Sequence, residues 1–431
     1  VTIQEEFMQT KLMSACFCLL AAGAAQAQDS KSSSTFIGYF RSTLGGAEAG
    51  APMPAFQAPG SAAKYRLGNE NDTVFEAGID HRLAQPAGAP AGSYLQAVFM
   101  LNGYAAIGNS SDLNGAGIVQ AYVKMSRYLG DFDIWAGRRY YQRQQFNMND
   151  YFWLNTAQGA HIGAGIEDLP LGPGKFDLAG HGYEDPNVNS TVTPGTSGTL
   201  HSRMLEARYR DIAIGEGLKL NTFLSYTARP EDAALGYKSE DGSSGAAWLN
   251  MSIGNSNNVL MAIYRQGLGI AQAPTNGRPI REDSGSGYDL SKAKVWEVAD
   301  NYQINVEDYA FELMLLTHSE ETGKDGVKGD KIQWNSVGVR PVYYLTESTS
   351  LALEVGLDQV KNEISDRSGS VTKSTLAYQV TPENLYWSRP TIRLFATHAS
   401  WSDEFKGLVG GSTYANKSKG WSGGVQTEVW W

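Results

Sequence analysis

Apolar and polar residues alternate along this chain in many short runs, the two-residue period of a strand whose faces meet unlike surroundings. In SSSTFIGYFRS, Phe36, Gly38 and Phe40 lie on one side while Ile37, Tyr39 and Arg41 lie on the other. In NDTVFEAGID, Phe75, Ala77 and Ile79 oppose Val74, Glu76, Gly78 and Asp80. KLNTFLSYTAR sets Leu218, Leu220, Leu224 and Tyr226 against Lys219, Asn221, Ser225 and Arg229. TIRLFATHA sets Ile392, Leu394 and Ala396 against Thr391, Arg393 and Thr397. The closing GGVQTEVWW puts Val425, Thr427, Val429 and Trp431 on one face and Gln426, Glu428 and Trp430 on the other. An apolar face backed by charges and amides suits a soluble sandwich, or a membrane barrel with lipid outside and water within. The period alone leaves both open.

Between the runs lie connections rich in Gly, Asn, Ser and Asp, such as 108–117, 184–200 and 318–331. The proline-rich stretches 53–59 and 85–92 read as a loop and a tight connection. With 48 glycines, 22 tyrosines, 10 tryptophans and 19% charged residues in 431, the chain is neither disordered nor a coiled coil. A net charge of −10 disfavours nucleic acid as a partner. From Met8, the run MQTKLMSACFCLLAAGAAQA has one lysine, an apolar centre too short to span a bilayer, and Ala25-Gln26-Ala27 at its end. That is the pattern of a secretory signal cleaved after Ala27; residues 1–7, with two glutamates ahead of it, read as an overextended start.

Cleavage would remove Cys16 and Cys18, the only cysteines, leaving residues 28–431 as a single domain without disulfides or thiolate metal sites. Export, interface-prone aromatics and long polar connections together favour the membrane barrel. Eighteen strands would give each strand and its connection about 22 residues, and sixteen would divide the length almost as well. No nucleotide-binding glycine loop or HExxH is present. Glu167 and Asp168 are neighbouring acids that a strand points to opposite sides, which does not make the opposed pair of a glycosidase.

The segments GYFRS, AAKYRLGNE, IWAGRRYYQRQQFNMNDYFW and GAGIEDLPLGPGKFDLA, then VGVRPVYY, LYWSRPTIRLFATHASW and VQTEVWW, resemble the maltoporin family of sugar-specific outer-membrane porins. The resemblance runs over residues 34–431. It implies an all-β fold, an eighteen-stranded antiparallel transmembrane β-barrel with an inward-folded third loop, assembled as a homotrimer. It places that barrel in the outer membrane of a Gram-negative bacterium, in contact with lipid, and implies passive diffusion of maltose, maltodextrins or related oligosaccharides. No cofactor, metal or catalytic residue is expected.

The resemblance further implies that Tyr39, Trp387 and Trp430 are lumen aromatics that cover the apolar faces of sugar rings. Arg41, Arg66, Arg143 and Asp150 would exchange hydrogen bonds with sugar hydroxyls, and Phe152 would line the constriction. Alternation independently puts Tyr39 with Arg41, and Trp430 with Glu428, on the polar side. The competing roles are structural: Trp430 packs under an inward loop, and the arginines hold that loop against acidic groups.

Several positions depart from the family pattern. Val74 stands for an aromatic, Phe152 for a tyrosine, Gln145 for an aspartate, Val119 for an arginine and Asn257 for a phenylalanine, while 102–115 holds no tryptophan to offer a neighbouring subunit. The alternative is a broader channel for other sugars, small solutes and ions. Amino-terminal mass analysis of the outer-membrane protein is expected to begin at Gln28, with folding indifferent to reducing agent; peptides retaining Cys16 and Cys18 would contradict the export signal.

Overall fold

The computed structural model describes residues 32–431 except 84, 86–87, 107–113, 156–159, 194 and 273–288. The expected signal, the cut before Gln28 and part of the 102–115 segment lie outside the described residues. The chain runs through β1 (Ser33–Ala47), β2 (Asp72–Leu83), β3 (Tyr94–Ala106), β4 (Asn114–Ser126), β5 (Asp133–Tyr140), β6 (Gln144–Phe146) and β7 (Tyr151–Leu154). It continues through β8 (Ala160–Leu171), β9 (Gly174–Asn189), β10 (Ser197–Gly215), β11 (Leu218–Arg229), β12 (Glu240–Ile253), β13 (Ser256–Gly267) and β14 (Lys294–Asn305). Then follow β15 (Tyr309–Glu321), β16 (Lys331–Thr346), β17 (Thr349–Asn362), β18 (Arg367–Val380), β19 (Thr391–Trp401) and β20 (Lys419–Trp430).

All but β6 and β7 form one 18-stranded antiparallel sheet, which settles the strand number that length left open. β1 pairs with both β2 and β20 and so closes the cylinder, with Tyr39 opposite Trp430 and Arg41 opposite Glu428. Closure leaves no sheet edge, so the ladder satisfies the backbone without water.

The faces of the sheet carry inverted chemistry. Leu44, Leu224 and Leu394 point outward at 81%, 68% and 61% exposure, whereas Arg208, Arg265 and Glu354 point inward at 1%, 0% and 0%. In water each such leucine would forgo roughly 1.5–3 kcal/mol of burial; in hydrocarbon it recovers that. β10 has 19 residues and β16 has 16, more than the strand length that crosses a bilayer, about 9–11. One rim of the cylinder carries the long connections 48–71, 141–159 and 402–418. The opposite rim carries the turns 172–173, 216–217 and 254–255, the connection 381–390 and the terminal residue Trp431.

From the long-connection rim, the first and third connections pack against the inner wall. The third, 141–159, carries the β6–β7 hairpin and reaches strands far from its own: Tyr151 Oη donates to Glu297 on β14, and Arg265 on β13 donates to the Trp153 carbonyl. Arg340 Nη2 on β16 donates to the Met148 carbonyl at 3.3 Å. The first connection does the same. Residues 53–59, which composition marks only as a loop, bury Met53, Phe56 and Ala58 to 1%, 2% and 1% exposure.

Inside a barrel the backbone of such a segment has no ladder, so wall side chains must supply its partners. Leu67 N donates to Glu354 Oε1 at 3.1 Å, and the Leu67 carbonyl accepts from Lys373 Nζ at 2.6 Å and Thr375 Oγ1 at 2.9 Å. The Gly68 carbonyl accepts from Thr397 Oγ1 at 2.9 Å. The two inward segments then meet directly, Arg66 N donating to the Met148 carbonyl at 3.0 Å.

Tyr65 fixes the height of the first segment by lying across two glycines paired between β16 and β17, Gly338 and Gly356, with its hydroxyl 2.8 Å from Ser336 Oγ. A Cβ at either glycine would fall 2.1 Å or 2.0 Å from the Tyr65 ring, so the recess exists only because both lack side chains. Gly356→Ala is expected to destabilise the refolded barrel by about 1–3 kcal/mol in urea and to make residues 51–71 protease-sensitive, with the outer barrel still assembled. Unchanged protection of that segment would show that Tyr65 does not anchor it.

Candidate functional site

The inner parity of β1 and β20 puts Tyr39 and Trp430 side by side near the short-turn rim. Trp387 joins them from the 381–390 connection rather than from a strand, which is why alternation could not place it. Its ring centroid lies 6.2 Å from that of Trp430 and 5.0 Å from that of Tyr386. Trp387 is 43% exposed and tethered by Nε1, which donates to Gln303 Oε1 at 2.9 Å. Arg389 stacks its guanidinium 4.0 Å from the Trp430 ring centroid. Trp387 is thus the exposed ring of the group, while Tyr386 and Trp430 are half-buried beside it, Trp430 with Arg389 on its ring.

The departures fall at the two ends of this line. Asn257 pairs with Gln303 and shares the inner face of Met261 and Arg265, so the missing ring would have sat beside the tether of Trp387. Val74 pairs with Tyr104, whose ring is 45% exposed and lies on the inner face of β3 with Val98 and Met100. Tyr104 therefore supplies an aromatic next to the position where Val74 lacks one. The alternation of VFMLNGY carries that signal, but only cross-strand pairing shows its relation to Val74. Val119 falls in a register jump of β4, where pairing passes from Met100–Gln120 to Leu101–Ile118.

Beside the aromatics stands a dense ionic cluster. Arg41 bonds Glu70 at 2.7 Å and grips Asp72 with two bonds of 2.8 and 2.9 Å, while Arg66 bonds Glu428 at 2.7 Å and Glu70 at 3.1 Å. Glu428 also receives Arg393 at 2.9 Å and Arg389 at 3.4 Å. The Tyr39 hydroxyl donates to Glu428 at 3.0 Å and accepts from Arg41 at 3.1 Å and Arg66 at 3.2 Å. Burial works against the Arg66 cation, but Glu428 and Glu70 outweigh it and hold its pKa well above the usual value. Arg41 and Arg66 thus have most of their donor edges occupied by carboxylates. Sequence reasoning singled out neither Arg389 nor Arg393, the two further cations on Glu428.

Arg143, Gln145, Asp150 and Phe152 form a second group on the inward hairpin, next to that cluster, with the Asp150 charge acting on Arg66. The Arg143 guanidinium lies 3.6 Å from the Tyr140 ring centroid and 4.9 Å from that of Phe152. Gln145 Nε2 donates to Asp150 Oδ1 at 2.5 Å, and Tyr140 Oη donates to Glu76 at 2.7 Å. Burial pulls the Arg143 pKa below its ordinary value, yet a guanidinium keeps its charge at any working pH.

The LamB porin profile matches residues 34–431 of this sequence, almost its entire length. The chain belongs to the LamB porin family. Among solved structures it is similar to Salmonella typhi OmpF in complex with daunomycin, at 8% identity and a TM-score of 0.50, covering 92% of this chain and 97% of that one. It is also similar to an anion-selective porin from Comamonas acidovorans, at 13% identity and a TM-score of 0.47, covering 93% of this chain and 100% of that one. OccD3 (OpdP) of Pseudomonas aeruginosa matches at 9% identity and a TM-score of 0.48, covering 94% and 95%. Identities this low speak to fold alone.

This porin is a multi-pass outer-membrane β-barrel of a Gram-negative bacterium and forms a channel; it is not an enzyme. Glu167 and Asp168 are bound separately, Glu167 to Arg139 at 3.0 Å and Asp168 to Arg210 at 2.7 Å, so they do not converge on one bond.

The hairpin geometry predicts what restoring the family aspartate would do. Gln145→Asp would replace an amide that donates to Asp150 by a second carboxylate on the same hairpin near it, where like charges repel. The porin carrying it is expected to shift its reversal potential toward cations in a salt gradient, without tighter block by neutral sugar. A gain in sugar affinity with no change in ion selectivity would contradict this.

Proposed function

We propose that this porin is a carbohydrate-selective channel for passive diffusion of maltodextrins or related oligosaccharides, working as a homotrimer. Tyr39, Trp387 and Trp430 are its ring-stacking platform, with Arg41, Arg66, Arg143, Asp150 and Phe152 as the polar and constriction partners. The observation that carries this reading is the exposed Trp387 ring beside the half-buried Trp430, 6.2 Å between centroids, next to a bank of arginines and carboxylates on the inner wall. Aromatic planes take the apolar face of a pyranose without trapping it, and the polar bank exchanges hydrogen bonds with hydroxyls as the ring moves past. The platform is shorter than the family's at Val74 and Asn257, and Tyr104 compensates at the first of these.

The second reading is a broader channel for other sugars, small solutes and ions. It is favoured by the occupation of Arg41 and Arg66 with carboxylates, which leaves fewer free donors for hydroxyls. Single-channel recording separates the two, since a maltodextrin channel is blocked more strongly by maltohexaose than by sucrose at equal concentration.

Trp387→Ala and Trp430→Ala are expected to weaken that block by about 0.5–1.5 kcal/mol for each sugar contact while oligomers persist in detergent. Trp430 lies on the inner face of β20 and Trp387 on the 381–390 connection, so neither belongs to the outward-facing apolar wall. Identical block of folded mutant and parent by every sugar tested would remove these rings from the pathway.

A further inference from the structure

Most arginines that face the lumen are neutralised within the protein. Arg41, Arg66, Arg265, Arg340 and Arg393 each bond a carboxylate. Arg143 differs. Among the described residues it forms no ion pair; its contacts are the Tyr140 and Phe152 rings on its faces. A guanidinium sandwiched by rings keeps its N–H donors around the edge, in the plane that a carboxylate engages with two parallel bonds.

The groups that could have quenched it are occupied or altered. Asp150 accepts from Gln145, Glu76 accepts from Tyr140, residue 145 is an uncharged amide, and Phe152 has no hydroxyl. The hairpin therefore carries one cation with an unused fork, beside a ring that offers only an apolar face. Glu76 and Asp150 remain near enough to repel an anion, so a ligand gains there only if its negative charge reaches the Arg143 edge directly.

We infer that Arg143 makes the constriction selective for saccharides that carry a carboxylate, of the uronate type, over neutral sugars of the same size. The inference rests on the sugar-channel reading and names its substrate class. The sugar ring lies on the aromatic faces while its carboxylate takes the edge of Arg143, and neither contact alone distinguishes it from a neutral sugar or a free anion.

The test is half-blocking concentration in planar bilayers for digalacturonate, its neutral counterpart galactobiose, and inorganic phosphate, with the parent porin and the variants Arg143→Gln and Arg143→Lys. The parent is expected to be blocked by digalacturonate at about tenfold lower concentration than by galactobiose, one charge-assisted pair's worth of free energy. Arg143→Gln should erase that difference, bringing the half-blocking concentration of digalacturonate to that of galactobiose measured on the same variant. Arg143→Lys, which keeps the charge without the fork, should keep a reduced part.

Equal block of the parent by the two disaccharides, or a difference that survives Arg143→Gln, overturns the inference and leaves the sugar channel standing. Phosphate competing as well as digalacturonate also overturns it, since the site would then serve free anions. Absence of block by any saccharide overturns both readings. If Arg143→Gln fails to fold, the parent comparison and Arg143→Lys decide the matter.

Discussion

Glu354 is the residue through which the barrel holds its interior. Its carboxylate is fully buried and receives Lys373 at 2.7 Å, Arg340 Nε at 2.9 Å and the Leu67 amide at 3.1 Å. A charge so placed is tolerable only while all its partners remain, and removing one typically costs about 3–5 kcal/mol because the others are left uncompensated. The arrangement reaches beyond the pair. Lys373 and Arg340, held in place by Glu354, donate to the Leu67 and Met148 carbonyls and so anchor both inward segments to one wall. Once the first segment is fixed at Leu67, Arg66 is delivered to Glu428 beneath Tyr39, and the ionic floor of the aromatic line follows.

This dependence explains what could be read from the sequence and what could not. Facing was legible because a strand's period is local, so Arg41 and Glu428 sit on the same face whatever lies across the lumen, whereas the choice of barrel over sandwich needed the export signal, the aromatics and the long connections as well. The facing of Tyr39 and Trp430 came from the same local rule. Strand number was not legible from length, because loops absorb any remainder, and it came from the family resemblance. The inward course of 51–71 was invisible for a different reason. Its anchors are single backbone groups bonded to side chains hundreds of positions away, Leu67 to Glu354 across 287 residues and Thr375 to Leu67 across 308. Composition marks such a stretch as proline-rich loop and says nothing of where it docks. Trp387 was found through resemblance alone, since a residue on a connection has no alternation to report its facing, and Arg389 was missed on the same ground.

The candidate site divides by how its charges are spent. Glu428 gathers Arg66, Arg389 and Arg393 into one cluster, and Arg41 is shared between Glu70 and Asp72. These four arginines share three carboxylates, so most of their field cancels a few ångströms away and one positive charge is left over. Such residues orient Tyr39 and support Trp430 more than they attract anything passing. Arginine at a family position is thus compatible with two roles, and its partners decide which one it plays.

That division also accounts for where the sequence has departed from its family. Among the described residues, the side chains of Val74, Gln145, Phe152 and Asn257 make none of the bonds named above that hold the inward segments to the wall; Gln145 donates to Asp150, Asn257 accepts from Ser252 Oγ at 2.9 Å, and Phe152 contacts Arg143. Residues of the anchoring network are coupled, so one change leaves a buried charge or a bare carbonyl unsatisfied. Residues that line the passage are coupled mostly to what moves through it. A position can then lose a hydroxyl or a charge at little cost to folding, while the field and hydrogen-bonding edge presented to a solute change at once. Exchanging an aspartate for Gln145 beside an unpaired Arg143 alters that field by a full charge and leaves Glu354 and its partners untouched.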